Sequence, residues 1–164
     1  MDGKRMSIIQ LSNQEKFNKW CVKPLEIIKN IPNGDGGFIA LVYACHLYEK
    51  YVAIKMKKKK PTTSEITGHL CIDFSITKSL ATQFWRLMRH GISHEAFPKS
   101  TQIWSMVDGS LPIKELIIPE GKYKQKSINV IPFLFMDKVL SLFQENELYI
   151  AELNMPNIFQ VVGG

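Results

Sequence analysis

An all-α fold, a helical bundle with a small β-hairpin excursion before its last helix, is what the sequence predicts. Apolar residues recur at three and four along two long stretches, 37–58 and 76–90. Cap residues or turn formers bound each stretch, and only after Pro98 does the pattern change to short extended runs. With 164 residues, 45% of them hydrophobic, the chain suits a single domain, 1–164, around one core.

Ser12 or Asn13 can cap a first helix whose inward stripe is Phe17, Trp20 and Cys21. Pro24 kinks or restarts it, and the turn formers from Asn30 to Gly37 end it. That glycine-rich loop lacks the order and the preceding strand of a phosphate loop, so it reads as a turn. The stretch 37–58 follows as the central core helix, with Phe38, Leu41, Val42, Cys45, Tyr48 and Val52 at helical spacing. It ends in lysines and Pro61, where cations complement the helix C-terminus.

Thr62 to Glu65 caps a short helix reaching about Phe74, and Thr77 opens the next. Stepping about 100° per residue, Ile76, Leu80, Ala81, Phe84, Leu87 and Met88 share one side of that helix. Lys78, Thr82, Arg86, Arg89 and His90 share the other, which leaves Arg89 on a polar face, open to a ligand or a second subunit. Residues 103–107, 113–118 and 127–131 read as extended segments forming a hairpin or three-stranded excursion, with turns at Asp108-Gly109 and Pro119 to Lys122. A last helix starts at Pro132 and buries Phe133, Met136, Val139, Leu140 and Phe143. Residues 155–164 read as a flexible tail or a single docked strand.

A net charge of +6 and a pI near 9.2 favour an anionic partner, and nucleic acid fits best. Five of those charges sit in Lys55 and Lys57 to Lys60, so the rest of the chain is only slightly basic. That run reads as a solvated helix end. The three cysteines lack paired spacing, which points to a reducing, cytoplasmic setting, and no apolar run is long enough for a signal sequence or a membrane span. Cys45-His46 and His69-x-Cys71 lack the spacing of a zinc site, so no metal or other cofactor is expected.

Chemistry concentrates at Arg89-His90-Gly91-Ile92-Ser93-His94. An imidazole can take a proton from a ribose 2′-hydroxyl near neutral pH, and a forked guanidinium can hold phosphate oxygens as charge grows on them. On an unbroken helix, residues five apart point about 140° away from each other. A left-handed Gly91, with Ser93 capping the next turn, would turn His94 back toward Arg89. His94 and Arg89 are thus the candidate catalytic pair, His90 and Ser93 supporting groups, and Arg86 and Lys99 candidate RNA contacts. The plain alternative is that this arginine and histidine only cap helix carbonyls.

The six residues resemble the R-polar-x-x-x-H motif of the HEPN superfamily. Arg89, Gly91 and His94 match its frequent prokaryotic form Arg-Asn-Gly-Leu-Leu-His-Gln, with His90 in place of Asn and Glu95 in place of Gln. The layout of helices from Phe17 to Leu148 is also similar to that fold, with the hairpin as a departure. The resemblance implies a HEPN-like bundle and a metal-independent endoribonuclease acting on single-stranded RNA. It further implies a homodimer in which two motifs form one groove, a toxin or defence setting, and a cognate antitoxin. It equally implies an alternative: a non-catalytic RNA-binding or interaction module, such as the partner of a nucleotidyltransferase.

Overall fold

The computed structural model describes residues 7–32, 36–91, 104–105, 109–120, 123–156 and 159–162. Helix α1, Asn13–Phe17, opens on a capping box: the Ser12 hydroxyl accepts from the Glu15 amide, and the Glu15 carboxylate accepts from the Ser12 amide at 2.7 Å. A wide π turn, Asn18–Val22, then leads into α2, Lys23–Lys29. Pro24 sits in the first turn of α2 and has no N–H, so the Trp20 carbonyl loses its donor four residues on. The Tyr43 hydroxyl donates to that carbonyl at 3.3 Å.

Helix α3, Gly37–Lys55, is the central element. It approaches α2 so closely that a Cβ on Gly36 would collide with the carbonyl of Ile28, which explains a glycine at this end of the loop. Its inner face buries Leu41, Ala44, Cys45, Tyr48, Tyr51 and Val52. The helix ends three residues before the expected Lys58, with Lys57 in the left-handed conformation at φ 53°.

Helix α4, Thr63–Asp73, carries a second capping box built from Thr62 and Glu65. Helix α5, Lys78–Trp85, starts on Thr77, whose hydroxyl accepts from the Leu80 amide, and continues into a π turn, Arg86–His90. Helix α6, Pro132–Gln144, packs against α3 and completes the core through Phe135, Met136, Val139 and Phe143. Phe135 binds the helices together: its ring stacks on Phe74 at 4.9 Å and meets Phe84 at 5.0 Å. A short helix the sequence reading omitted, α7, Glu147–Ala151, is capped by Asn146.

The β structure flanks the helices, with Ile113, Ile128 and Val130 reaching into the core. Strand β1, Ser7–Gln10, pairs antiparallel with β5, Phe159–Val162, so the docked strand, not the tail, describes this part of the C-terminal segment. Strands β2 (Trp104–Ser105), β3 (Ile113–Glu120) and β4 (Tyr123–Val130) form a second sheet in the order β2-β4-β3. The expected hairpin is therefore present, one β-hairpin beside a helical body. Pro119 is tolerated in β3 because that strand lies at the sheet edge, where a missing ladder donor costs little. Among the described residues no helix is long and apolar enough to cross a membrane.

Candidate functional site

Arg89 lies at the end of the α5 path, in the π turn that follows it. The expected open, polar-facing arginine is not what the structure holds. The side chain turns toward α3 and its Nε donates to Oε2 of Glu49 at 2.7 Å, with only 22% of the arginine side chain and 24% of the glutamate exposed. The wide turn explains the swing. A π turn advances roughly 80° per residue where an α-helix advances 100°, so over the three steps from Arg86 to Arg89 the accumulated difference is roughly 60°. Arg86, where the turn begins, stays exposed, while Leu87 and Met88 are fully buried.

Gly91 corrects a second expectation. It is buried and right-handed, at φ −58° and ψ −53°, and its N–H donates to the Met88 carbonyl. The left-handed break expected there is absent: Gly91 keeps right-handed dihedrals and its N–H keeps a partner in the preceding turn. Ser93, His94 and Lys99 lie outside the described residues, and His90 is placed only as the last residue of the π turn.

Glu49 is the partner of Arg89 that sequence reasoning missed. A signal was available: on α3 it falls one turn after the buried Cys45, and a carboxylate at the border of a core face calls for a cation. The pair's electrostatics reach that neighbour. Burial pushes the Cys45 thiol up to about 12, with the Arg89 charge working against the rise and the Glu49 charge adding to it. Cys45 is accordingly a core side chain, not a reactive or metal-binding thiolate. Its sequence neighbour His46 points outward and bonds its own helix through Nδ1 to the Val42 carbonyl at 2.8 Å. Cys71 is engaged likewise, its Sγ donating to the Thr67 carbonyl. No cluster of three or more His, Cys, Asp or Glu able to hold a metal ion occurs among the described residues.

The other flank of α3 carries a second polar network. Asp73 of α4, nearly buried, accepts from the Tyr48 hydroxyl at 2.8 Å and from Lys55 at 3.4 Å. Lys55 also donates to Tyr51 at 3.0 Å and lies over its ring. Burial and the Asp73 charge drive the Tyr48 hydroxyl far above its ordinary range, so it serves here as a donor. Glu65, bonded by Lys58 and by its cap, is held down to about 2. These lysines, read as a solvated helix end, thus include two that tie α3 to α4.

No family model matches the chain, and neither a search of curated proteins nor one of solved structures returns a match.

Proposed function

We propose that the protein is a metal-independent endoribonuclease of HEPN type. Arg89 stabilises charge on the scissile phosphate of single-stranded RNA, and His94 moves the proton of the ribose 2′-hydroxyl or of the leaving oxygen. The observation that carries the reading is the Arg89–Glu49 pair at the end of the six-residue motif. It engages the guanidinium through Nε, and an arginine fixed at that atom presents its planar fork in one orientation, as bidentate recognition of phosphate requires. Glu49 is in this account a positioning residue, and His90 and Ser93 orient the phosphate.

Because Gly91 continues the helix, the reading requires the chain to turn His94 toward Arg89 beyond that residue. One subunit supplies one His94, so a separate acid and base come from two copies, and we take the working form to be a homodimer. Products carry a 2′,3′-cyclic phosphate. The setting is toxin or defence, with a cognate antitoxin as partner, in the cytoplasm.

One feature favours a second reading, a non-catalytic module that holds RNA or docks a nucleotidyltransferase. Glu49 neutralises the arginine that the reaction needs. Incubation with single-stranded RNA in the presence of chelator separates the two. The nuclease reading expects cleavage that persists with chelator and disappears in Arg89→Ala and in His94→Ala. Cleavage lost only on chelation, or surviving in both variants, refutes the assignment, and RNA binding without turnover favours the module.

A further inference from the structure

We propose that the outward face of α3 is a track for single-stranded RNA, gripping bases at its N-terminal end and phosphates at its C-terminal end. This deepens the RNA reading above and rests on it for the class of polymer, but not on the chemistry of Arg89 and His94.

The face follows from helix geometry. At 100° per residue, Ile39, Val42, Tyr43, His46 and Lys50 fall within roughly a third of the circumference, opposite the face that Leu41, Ala44, Tyr48 and Tyr51 bury in the core. Two concavities open on this one face. The first, about 720 Å³, lies between α2 and the start of α3; it is lined by Trp20, Pro24 and Leu25 from one side and by Ile39, Tyr43 and His46 from the other. The second, about 290 Å³, lies beside the last turns of α3 and the residues that follow it and is lined by Lys50, Lys57 and Lys58 together with Glu152. Lys50, one turn beyond His46, leads from the first to the second.

Chemistry distinguishes the two ends. The first groove is almost wholly apolar, with two half-buried aromatic rings, Trp20 and Tyr43, at its wall. The Tyr43 hydroxyl shares its one hydrogen between the Trp20 backbone carbonyl and the Cys21 sulfur, each at 3.3 Å, so the Tyr43 ring is held in place before anything binds. Fixed rings of this kind stack nucleobases. His46 stands at the groove's edge with Nδ1 against a carbonyl, which can only accept, so Nδ1 donates. Nε2 is then the acceptor of the neutral ring, suited to a base amino group or a ribose 2′-hydroxyl.

The far cleft is cationic. Three lysines face it against the single carboxylate of Glu152, and although Glu65 engages Lys58, Lys50 and Lys57 are exposed. From Tyr43 to the end of α3 at Lys55 the rise is about 18 Å, which about six stacked nucleotides span. Base-gripping rings and phosphate-gripping lysines on one helix face complement a single strand. A duplex hides the faces of its bases, and an apolar partner has no use for the lysines.

The test measures the affinity of His94→Ala protein, which cannot turn over, for a labelled single-stranded RNA 12-mer at several salt concentrations. Lys50→Glu combined with Lys57→Glu is expected to weaken binding roughly tenfold or more, and to lower the slope of log K against log salt by about 1.4. Ile39→Glu, at a residue 54% exposed and so compatible with folding, is expected to weaken binding by a similar factor. The same charge change on the hairpin, Lys114→Glu with Lys126→Glu, should leave affinity within about twofold.

Unchanged affinity in both α3 variants overturns the track, and so does duplex RNA binding as tightly as the single strand. Ile39→Glu that alters sedimentation without altering RNA affinity also overturns it, making the groove a contact between copies. Failures of the two proposals differ in appearance. Cleavage by the His94-containing protein with RNA affinity indifferent to α3 sinks the track alone; affinity governed by α3 without any cleavage sinks the nuclease alone.

Discussion

The two π turns differ in what causes them. Asn18–Val22 immediately precedes Pro24, whose missing N–H removes a helical hydrogen bond, and the Tyr43 hydroxyl occupies the carbonyl left behind. Arg86–His90 has no proline near it. The chain there gives up regular α geometry with no covalent reason, and what it obtains is Arg89 turned inward onto Glu49 while Leu87 and Met88 remain in the core. A wide turn that the local sequence does not compel agrees with the constraint that the proposed nuclease chemistry places on Arg89. The first turn keeps a helix intact around a proline; the second aims a side chain.

The sharpest way to break this contrast is to remove the aimed groups. Arg89→Ala and His94→Ala should each lower the RNA cleavage rate by roughly two to four orders of magnitude. Glu49→Gln tests aim separately from charge. It should lower kcat about tenfold while leaving KM within about threefold, since the phosphate contact survives but its orientation loosens. A Glu49→Gln enzyme with full kcat would show that the pair only fastens α5 to α3.

At the first turn the expected effects fall on stability and not on the chemical step. Tyr43→Phe strands the Trp20 carbonyl and should cost about 1 kcal/mol in denaturant unfolding, with cleavage unchanged apart from any weakening of RNA affinity. Removing either capping hydroxyl, Ser12→Ala or Thr62→Ala, should cost about 1 kcal/mol.

A smaller effect depends on pH. Burial lowers the His69 pKa, with the Lys55 charge adding to the shift, and its Nδ1 is buried without a hydrogen-bond partner. Protonation is therefore harder in the folded state than in the unfolded one. Stability present at neutral pH should decline as pH falls from the ordinary histidine range through the folded value. His69→Gln should flatten that decline in unfolding curves between about pH 7 and pH 5. A slope unaffected by this substitution would assign the acid sensitivity to other groups.

How much of this the sequence disclosed depended on whether the signal was local. Caps are local, so Ser12, Thr62 and Thr77 were readable, and the turn associated with Pro24 was expected because proline breaks helices wherever it stands. Much of the core face of α3 was readable from its period, although Phe38 and Val42, expected in it, line the outer groove, and the hairpin was readable from its alternation. Strand β1 was not, because four residues are too few to show a period of two and its partner β5 lies about 150 residues away. The second π turn was invisible for a related reason: Arg89 reaches a carboxylate 40 positions earlier in the chain, and no pattern within residues 76–90 encodes that contact. The glycine of the motif suggested a break at Gly91, whereas the departure from α geometry begins at Arg86. The candidate site was therefore legible as residue types in order, and its geometry was not.

Mass analysis of the 3′ ends left after incubating the protein with single-stranded RNA and excess chelator tests the central claim most directly. The account predicts 2′,3′-cyclic phosphate termini that accumulate with time and vanish with Arg89→Ala. Intact RNA, or 3′-hydroxyl ends of undiminished yield from that variant, would contradict it.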